Sequence, residues 1–195
     1  MEFLDHTEFL IALRPVGVRE TTEGDSTSFT LTSDTHAGLT PSAVVFANAV
    51  APDDPRPSVW VSTPASALPD VIDSILHKEH LNEVALCPAR TWGPIVDLVA
   101  FDLADDQRWN DIDAEVALHL HTRDPLMFSR EDHRLVRRFA AQTVEHGEPG
   151  AHDLSVVAVG APIVMNLVQT GRLTVWCGNP AIADVVAGVA SPNSG

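Results

Sequence analysis

The sequence predicts an α+β fold with a mixed, mainly antiparallel sheet of six or more strands and two to three packed helices. Apolar residues make up 45% of the 195 residues, which is enough for a hydrophobic core. Short runs rich in Val, Ile and Thr lie between turn signals, as strands do. Other stretches carry apolar residues at helical spacing. The length fits one domain, which we place at residues 1–190, with a disordered tail at 191–195.

The N-terminal part predicts one short element, a hairpin and two further strands. "EFLIALRPVGV" predicts a short helix or strand that Pro15 interrupts. "EGDS" is a turn signal, and the alternating "TSFTLTS" that follows is typical of a hairpin strand. "SAVVFANAV" predicts a buried strand, and "SVWVST" predicts another. The proline-rich "APDDPRP" between them predicts a surface loop.

The middle of the chain predicts one amphipathic helix among several strands. "PASALPDVIDSILHKEH" has Leu68, Ile72 and Ile75 at helical spacing, and "NEVALCPA" predicts the next strand. A strand–helix–strand unit near residues 58–87 is therefore expected to add parallel pairing. "GPIVDLVAFDLADD" predicts a strand with Ile95 and Phe101 on one face. "AEVALHLHT" alternates strictly and predicts a half-buried strand.

The C-terminal part gives the clearest helix and the clearest turns. "SREDHRLVRRFAAQTVEHG" predicts a helix with Ser129 as its N-cap and Gly147 as its stop. "DLSVVAVGAPIVMNLVQTGRLTVWCG" predicts two or three strands, with "QTGR" as a hairpin turn. Asn179 and Pro180 are the N-cap and first residue of a final helix.

The charge balance constrains the kinds of partner. The chain has 27 acids and 12 bases, for a formal net charge of −15. Such a charge repels nucleic-acid phosphates and anionic membranes, so neither is an expected partner. A basic protein partner, or simple solubility, accounts for the acidity. No apolar run reaches the roughly 18 residues of a membrane span.

Cysteine usage and the first residues bear on location. Cys87 and Cys177 are too few for a disulfide framework, and both lie in apolar runs, which predicts buried free thiols. A single disulfide between these two cysteines is the alternative. "MEFLDHTEFL" has acids where a signal peptide has bases. These features favour a cytoplasmic location.

Arginines form the first candidate site. Arg130, Arg134, Arg137 and Arg138 recur at the spacing of one helix face, and Arg123 precedes them. Arginine forks suit carboxylates and phosphates, so this face predicts a site for an anion or an acidic partner surface. The alternative is a solvated face paired with nearby acids.

Histidines form the second candidate site. His119 and His121 share one face of the predicted strand, and Asp124 or His133 supplies a further ligand. Such a set predicts a zinc site with a metal-activated water. The spacing matches no complete zinc signature, so the favoured interpretation is two exposed histidines on a half-buried strand, with the zinc site as the alternative.

The sequence lacks the local signatures of common catalytic sites. It contains no GxSxG, no Walker pattern and no GxGxxG. We therefore expect a non-enzymatic cytoplasmic interaction or regulatory domain without a cofactor, binding another protein or a second copy of itself. A metal-dependent hydrolase and a small-anion or phosphate sensor are the alternatives. Trp92 and Trp109 lie in or beside loop-like stretches, where they serve as partner anchors or as lids over the core.

Overall fold

An eight-stranded mixed sheet organises the protein in a computed structural model, which describes residues 1–33, 38–49 and 58–190. The strands are β1 (Glu2–Phe3), β2 (Val18–Glu23), β3 (Ser26–Leu31), β4 (Ser42–Ala47), β5 (Ser58–Ser62), β6 (Glu83–Pro88), β7 (Leu126–Ser129), β8 (Leu154–Ala158), β9 (Ile163–Val168) and β10 (Arg172–Cys177). The helices are α1 (His6–Leu13), α2 (Leu68–Lys78), α3 (Trp92–Leu103), α4 (Gln107–Asn110), α5 (Asp113–His119), α6 (His133–His146) and α7 (Pro180–Ala187).

The sheet topology confirms the α+β class and the mixed, mainly antiparallel pairing. Its strand order is β1-β7-β6-β8-β9-β10-β4-β5, and β2 and β3 form a separate hairpin. Among the strands of the described residues, only the β4–β5 pair is parallel. The strand–helix–strand unit near residues 58–87 was expected to supply parallel pairing, and this expectation was wrong. Strands β5 and β6 flank α2 in the chain, but β8, β9, β10 and β4 lie between them in the sheet.

Each face of the sheet carries its own hydrophobic core, because side chains alternate along the strands. Val84 and Leu86 of β6 face the larger core, whereas Ala85 and Cys87 face the smaller one. Helices α2, α3, α6 and α7 contribute to the larger core. Helix α1 and the β2–β3 hairpin cover the other face through Phe9, Leu13, Phe29 and Leu31.

Two predicted strands are helices. In α3 the buried residues are Trp92, Ile95, Val99 and Leu103, a three- and four-residue spacing. Its Gly-Pro pair lies in the first turn, where a missing N–H costs nothing. In α5 the alternating "AEVALH" forms a short helix that buries Val116. Short apolar runs fit both the two-residue period of a strand and the 3.6-residue period of a helix. Packing in the folded chain decides which of the two forms.

Several local signals were interpreted correctly. Of the two alternatives for "EFLIALRPVGV", the helix forms, as α1, and the hairpin at "EGDS" turns at Gly24, whose φ is +60°. Asn179 accepts a hydrogen bond from Ile182 N at 3.0 Å and caps α7. Ser129 does not cap α6, because a 3₁₀ turn (Arg130–Asp132) precedes that helix and the Ser129 hydroxyl donates to Asp132.

Two predicted features lie outside the described residues: the loop at 51–57 and the tail at 191–195. Within the described ranges, no helix combines the length and the apolarity needed to cross a lipid bilayer.

Candidate functional site

Three of the five candidate arginines bind aspartates of other helices. Arg134 and Arg138 of α6 both reach Asp106, which lies between α3 and α4. Arg138 Nε also donates to Asp102 Oδ2 at 2.8 Å. Arg137 Nε donates to Asp70 Oδ1 of α2 at 2.7 Å. This part of the arginine face therefore ties the helical layer together and has carboxylate partners within the chain.

Asp106 is the centre of this network. Its side chain is 4% exposed, and it accepts hydrogen bonds from the backbone N–H groups of Arg108 (3.0 Å) and Trp109 (3.4 Å), so it also caps α4. The hydrogen bond from Arg134 lowers the pKa of Asp106, against the opposing effect of burial. The carboxylate therefore stays ionised as a fixed internal anion.

A second buried carboxylate, Asp132, lies at the entry to α6. Arg108 binds it with both Nε (3.0 Å) and Nη2 (3.1 Å), and the Ser129 hydroxyl donates to it at 2.9 Å. Burial opposes ionisation of Asp132, but the hydrogen bonds from Arg108 and Ser129 more than offset it and lower the pKa. Sequence analysis missed this pair, because its members are 24 residues apart and no local signal links them.

The remaining candidate arginines lie elsewhere. Arg123 donates to Thr27 Oγ1 at 2.7 Å and to the backbone oxygen of Asp25 at 3.4 Å, so it holds the β2–β3 hairpin. Arg130 is exposed and forms no ion pair within the described part of the chain. The five arginines therefore do not converge on one site.

The histidine candidates are only partly brought together. His119 Nδ1 lies 2.9 Å from Asp124 Oδ2, and the imidazole stacks on Phe3 with ring centroids 4.1 Å apart. His121 is exposed in the turn that follows α5. Because 113–119 is a helix, His119 and His121 do not share a strand face, which corrects that expectation. His133 is buried in α6, and burial lowers its pKa, as does the nearby charge of His77.

The described ranges contain no group of three or more His, Cys, Asp or Glu side chains placed to hold a metal ion. The His119–Asp124 pair alone supplies one carboxylate-oriented imidazole. Zinc sites use three or four protein ligands. The zinc site therefore stays a prediction that rests on two of its four proposed ligands.

The tryptophans proposed as partner anchors belong to the core. Trp92 is 0% and Trp109 is 4% exposed. Trp92 Nε1 donates to the backbone oxygen of Asp124 at 2.7 Å, and Trp109 packs against Phe139 with ring centroids 5.5 Å apart. Of the two alternatives in the sequence, the structure supports a role in the core and not an exposed anchor.

A different aromatic residue is exposed. Phe101 of α3 is 97% exposed, and Leu118 of α5 is 79% exposed. Both lie opposite the buried faces of their helices. A hydrogen bond from Gly93 N to Leu120 O (2.8 Å) joins the start of α3 to the end of α5. The two ends of the segment that runs from α3 to α5 therefore lie next to each other. We call the outward side of residues 92–119 the α3–α5 surface.

Acidic residues accompany the two apolar side chains on the α3–α5 surface. Its exposed acids are Asp97, Asp105, Asp111 and Asp113, and Arg108 is the only Lys or Arg of the segment. The Arg108 guanidinium is held by Asp132. Asp97 lies one helical turn before Phe101 on the same side of α3, so Phe101 has an exposed acid beside it on its own helix. The strand interpretation hid this surface, because a strand places Phe101 on the same face as Ile95.

Comparisons of this chain with protein-family models, with curated proteins and with solved structures gave no match. Its function is therefore inferred from the groups that the fold leaves facing outward.

Proposed function

We propose that the chain is a non-enzymatic, cytoplasmic protein-interaction or regulatory domain that binds a basic, partly apolar segment of another protein at the α3–α5 surface. The observation that carries this proposal is the 97% exposure of Phe101. An aromatic side chain of this size is worth about 1.5–3 kcal/mol when it is removed from water. Exposed aromatics of this kind are typical anchors at protein interfaces.

The charge around the anchor favours a basic partner. The exposed Asp97, one helical turn from Phe101, attracts Lys and Arg, and the net charge of −15 adds long-range steering. A second copy of the chain would bring two equally acidic surfaces together. Since like charges across an interface are unfavourable, a different, basic protein fits this surface better than self-association does.

The cysteines are consistent with a cytoplasmic location. Cys87 and Cys177 are both free and buried. Proteins of reducing compartments keep their thiols in this form. Burial raises the pKa of the Cys87 thiol well above its usual range, and it raises the pKa of Cys177 to about 12. Neither thiol is therefore suited to act as a nucleophile.

Site-specific photo-crosslinking tests the proposal. A photoreactive phenylalanine analogue is placed at position 101, at position 118 or, as a control, at position 11, because Ile11 of α1 is also exposed (54%). Positions 101 and 118 should give the same discrete adduct in the native host. The crosslinked segment of the partner should contain Lys or Arg beside apolar residues. Position 11 should not give this adduct.

Three outcomes would contradict the proposal. Equal adducts from all three positions would show unspecific capture. An adduct of the chain with itself would show that this surface forms a homodimer and does not bind a basic partner. A partner complex that survives Phe101→Ser, with an unchanged melting temperature, would place the interface elsewhere. Because Phe101 is so exposed, this variant should fold normally.

A further inference from the structure

A cleft lies between α1 and the β2–β3 hairpin, on the face of the sheet opposite α2, α3 and α6. Its volume is about 520 Å³, and its lining includes Leu10, Arg14, Val18, Arg19 and Thr32. Sites for small molecules usually have volumes of about 300–1,000 Å³ and combine apolar walls with a few polar groups. The volume of the cleft falls in this range, and its lining is mainly polar, with Leu10 and Val18 as the apolar part.

Two arginines of the cleft lack the partners that an acidic chain offers. With 27 acids for 12 bases, a surface arginine is expected to meet a carboxylate, as Arg134 and Arg138 do. Arg14 and Arg19 are exposed, and neither forms an ion pair with a described carboxylate. Two positive charges thus line one concave space in a protein whose overall field repels anions.

The guanidinium group of Arg19 is already oriented. Its Nε donates to Thr32 Oγ1 at 3.2 Å, and the Thr32 hydroxyl in turn donates to Gly17 O at 3.3 Å. This anchoring leaves both Nη groups of Arg19 free of described protein partners, so they can form a bidentate contact with an oxyanion. Orientation before binding reduces the entropy that binding costs.

The cleft also contains one acidic group, Glu20. Glu20 Oε1 is buried and lies 3.1 Å from His6 Nε2, without the geometry of a hydrogen bond. This carboxylate oxygen is therefore turned away from the open side of the cleft. Leu10 and Val18 provide apolar wall beside the arginines.

We propose that this cleft binds a small molecule that carries a phosphate or carboxylate group, held by Arg14 and Arg19, and an apolar part that lies against Leu10 and Val18. The inference is independent of the proposed function, because the cleft and the α3–α5 surface share no residue. It also moves the expected anion site away from the arginines of α6, which are used inside the chain.

Thermal unfolding with four probes tests the proposal: inorganic phosphate, phenyl phosphate, benzoate, and sodium chloride at matched ionic strength. The chloride arm measures general screening of the acidic chain. For a Kd of about 1 mM, about 10 mM phenyl phosphate should raise Tm by about 3–5 °C beyond that arm. Inorganic phosphate should give a smaller shift, because it lacks the apolar part. Whichever of phenyl phosphate and benzoate gives the larger shift identifies the preferred acid group.

Variants locate the site. Combining Arg14→Ala with Arg19→Ala should weaken binding at least tenfold, which reduces the shift to about 1 °C. Arg130→Ala is the matched control, since Arg130 is also exposed and unpaired in the described ranges but lies outside the cleft, and its shift should equal the wild-type shift. Shifts no larger than those with chloride, or shifts that survive the double substitution, would overturn the proposal.

Discussion

The buried carboxylate of Asp106 offers a quantitative test of how the helical layer is held together. Asp106→Asn removes the charge but keeps a good N-cap, whereas Asp106→Ala removes both. The two arginine partners are 54% and 28% exposed, so solvent screens their ion pairs and their loss costs about 1–2 kcal/mol. Loss of the cap of α4 adds about 1 kcal/mol.

These contributions predict an ordered series. Asp106→Asn should lower Tm by about 3–6 °C, and Asp106→Ala by about 5–10 °C, because a chain of this size loses about 2–4 °C per kcal/mol. The matched control is Asp105→Asn. Asp105 is 90% exposed and reaches Arg138 only at 3.7 Å, so Tm should stay unchanged. Thermal unfolding followed by circular dichroism measures the series.

The pH dependence gives a second readout for the same residue. The pKa of Asp106 is lower in the folded protein than in the unfolded chain. Its stabilising contribution is therefore complete above the unfolded pKa of about 3.9, and it is lost as pH falls through the folded pKa. The difference between wild type and Asp106→Asn should shrink below about pH 4. A difference that is constant with pH, or an Asp105→Asn effect as large as that of Asp106→Ala, would refute the reasoning.

Three further predictions concern the β2–β3 hairpin, the two buried cysteines and the turn at Gly171. Asn166 Nδ2 donates to Phe29 O at 2.8 Å, so Asn166→Ala should cost about 1–3 kcal/mol. Hydrogen exchange should then become faster in the β2–β3 hairpin but not in α6. An equal change in both would contradict the role of Asn166 in holding the hairpin on the sheet. Cys87 and Cys177 should react with a thiol reagent at pH 8 only as fast as the protein unfolds, because their thiol pKa values are raised; rapid labelling of the native protein would show exposed thiolates. Gly171 adopts φ +84°, so Gly171→Ala should lower the free energy of unfolding by about 1–2 kcal/mol, and an unchanged urea midpoint would show that the turn adapts.

Local chemistry explains which elements could be predicted from the sequence. The hairpin at Gly24, the turn at Gly171 and the helix capped by Asn179 depend on residues within a few positions of one another. The strand predicted at "GPIVDLVAFDLADD" was wrong, because the apolar residues of α3 also alternate as they do in a strand. Ile95, Val99 and Leu103 lie four residues apart in the same segment and form the buried face of the helix, so the sequence contained both patterns.

The candidate site depended more strongly on tertiary contacts. The arginine spacing on α6 was visible in the sequence, but the partners were not, since Asp106 lies 28 residues from Arg134 and Asp70 lies 67 residues from Arg137. The exposure of Phe101 could not be derived from a strand pattern. A strand groups Phe101 with Ile95, whereas a helix puts these residues on different faces.

The proposed interface predicts that Phe101, with the exposed Asp97 beside it, binds a basic partner segment. The most direct measurement is the Kd for the segment identified by crosslinking, with wild type and Phe101→Ser at two ionic strengths. Loss of a buried aromatic anchor should weaken binding by about 10- to 100-fold, and higher salt should weaken wild-type binding. A Kd that changes with neither the substitution nor the salt concentration would contradict the account.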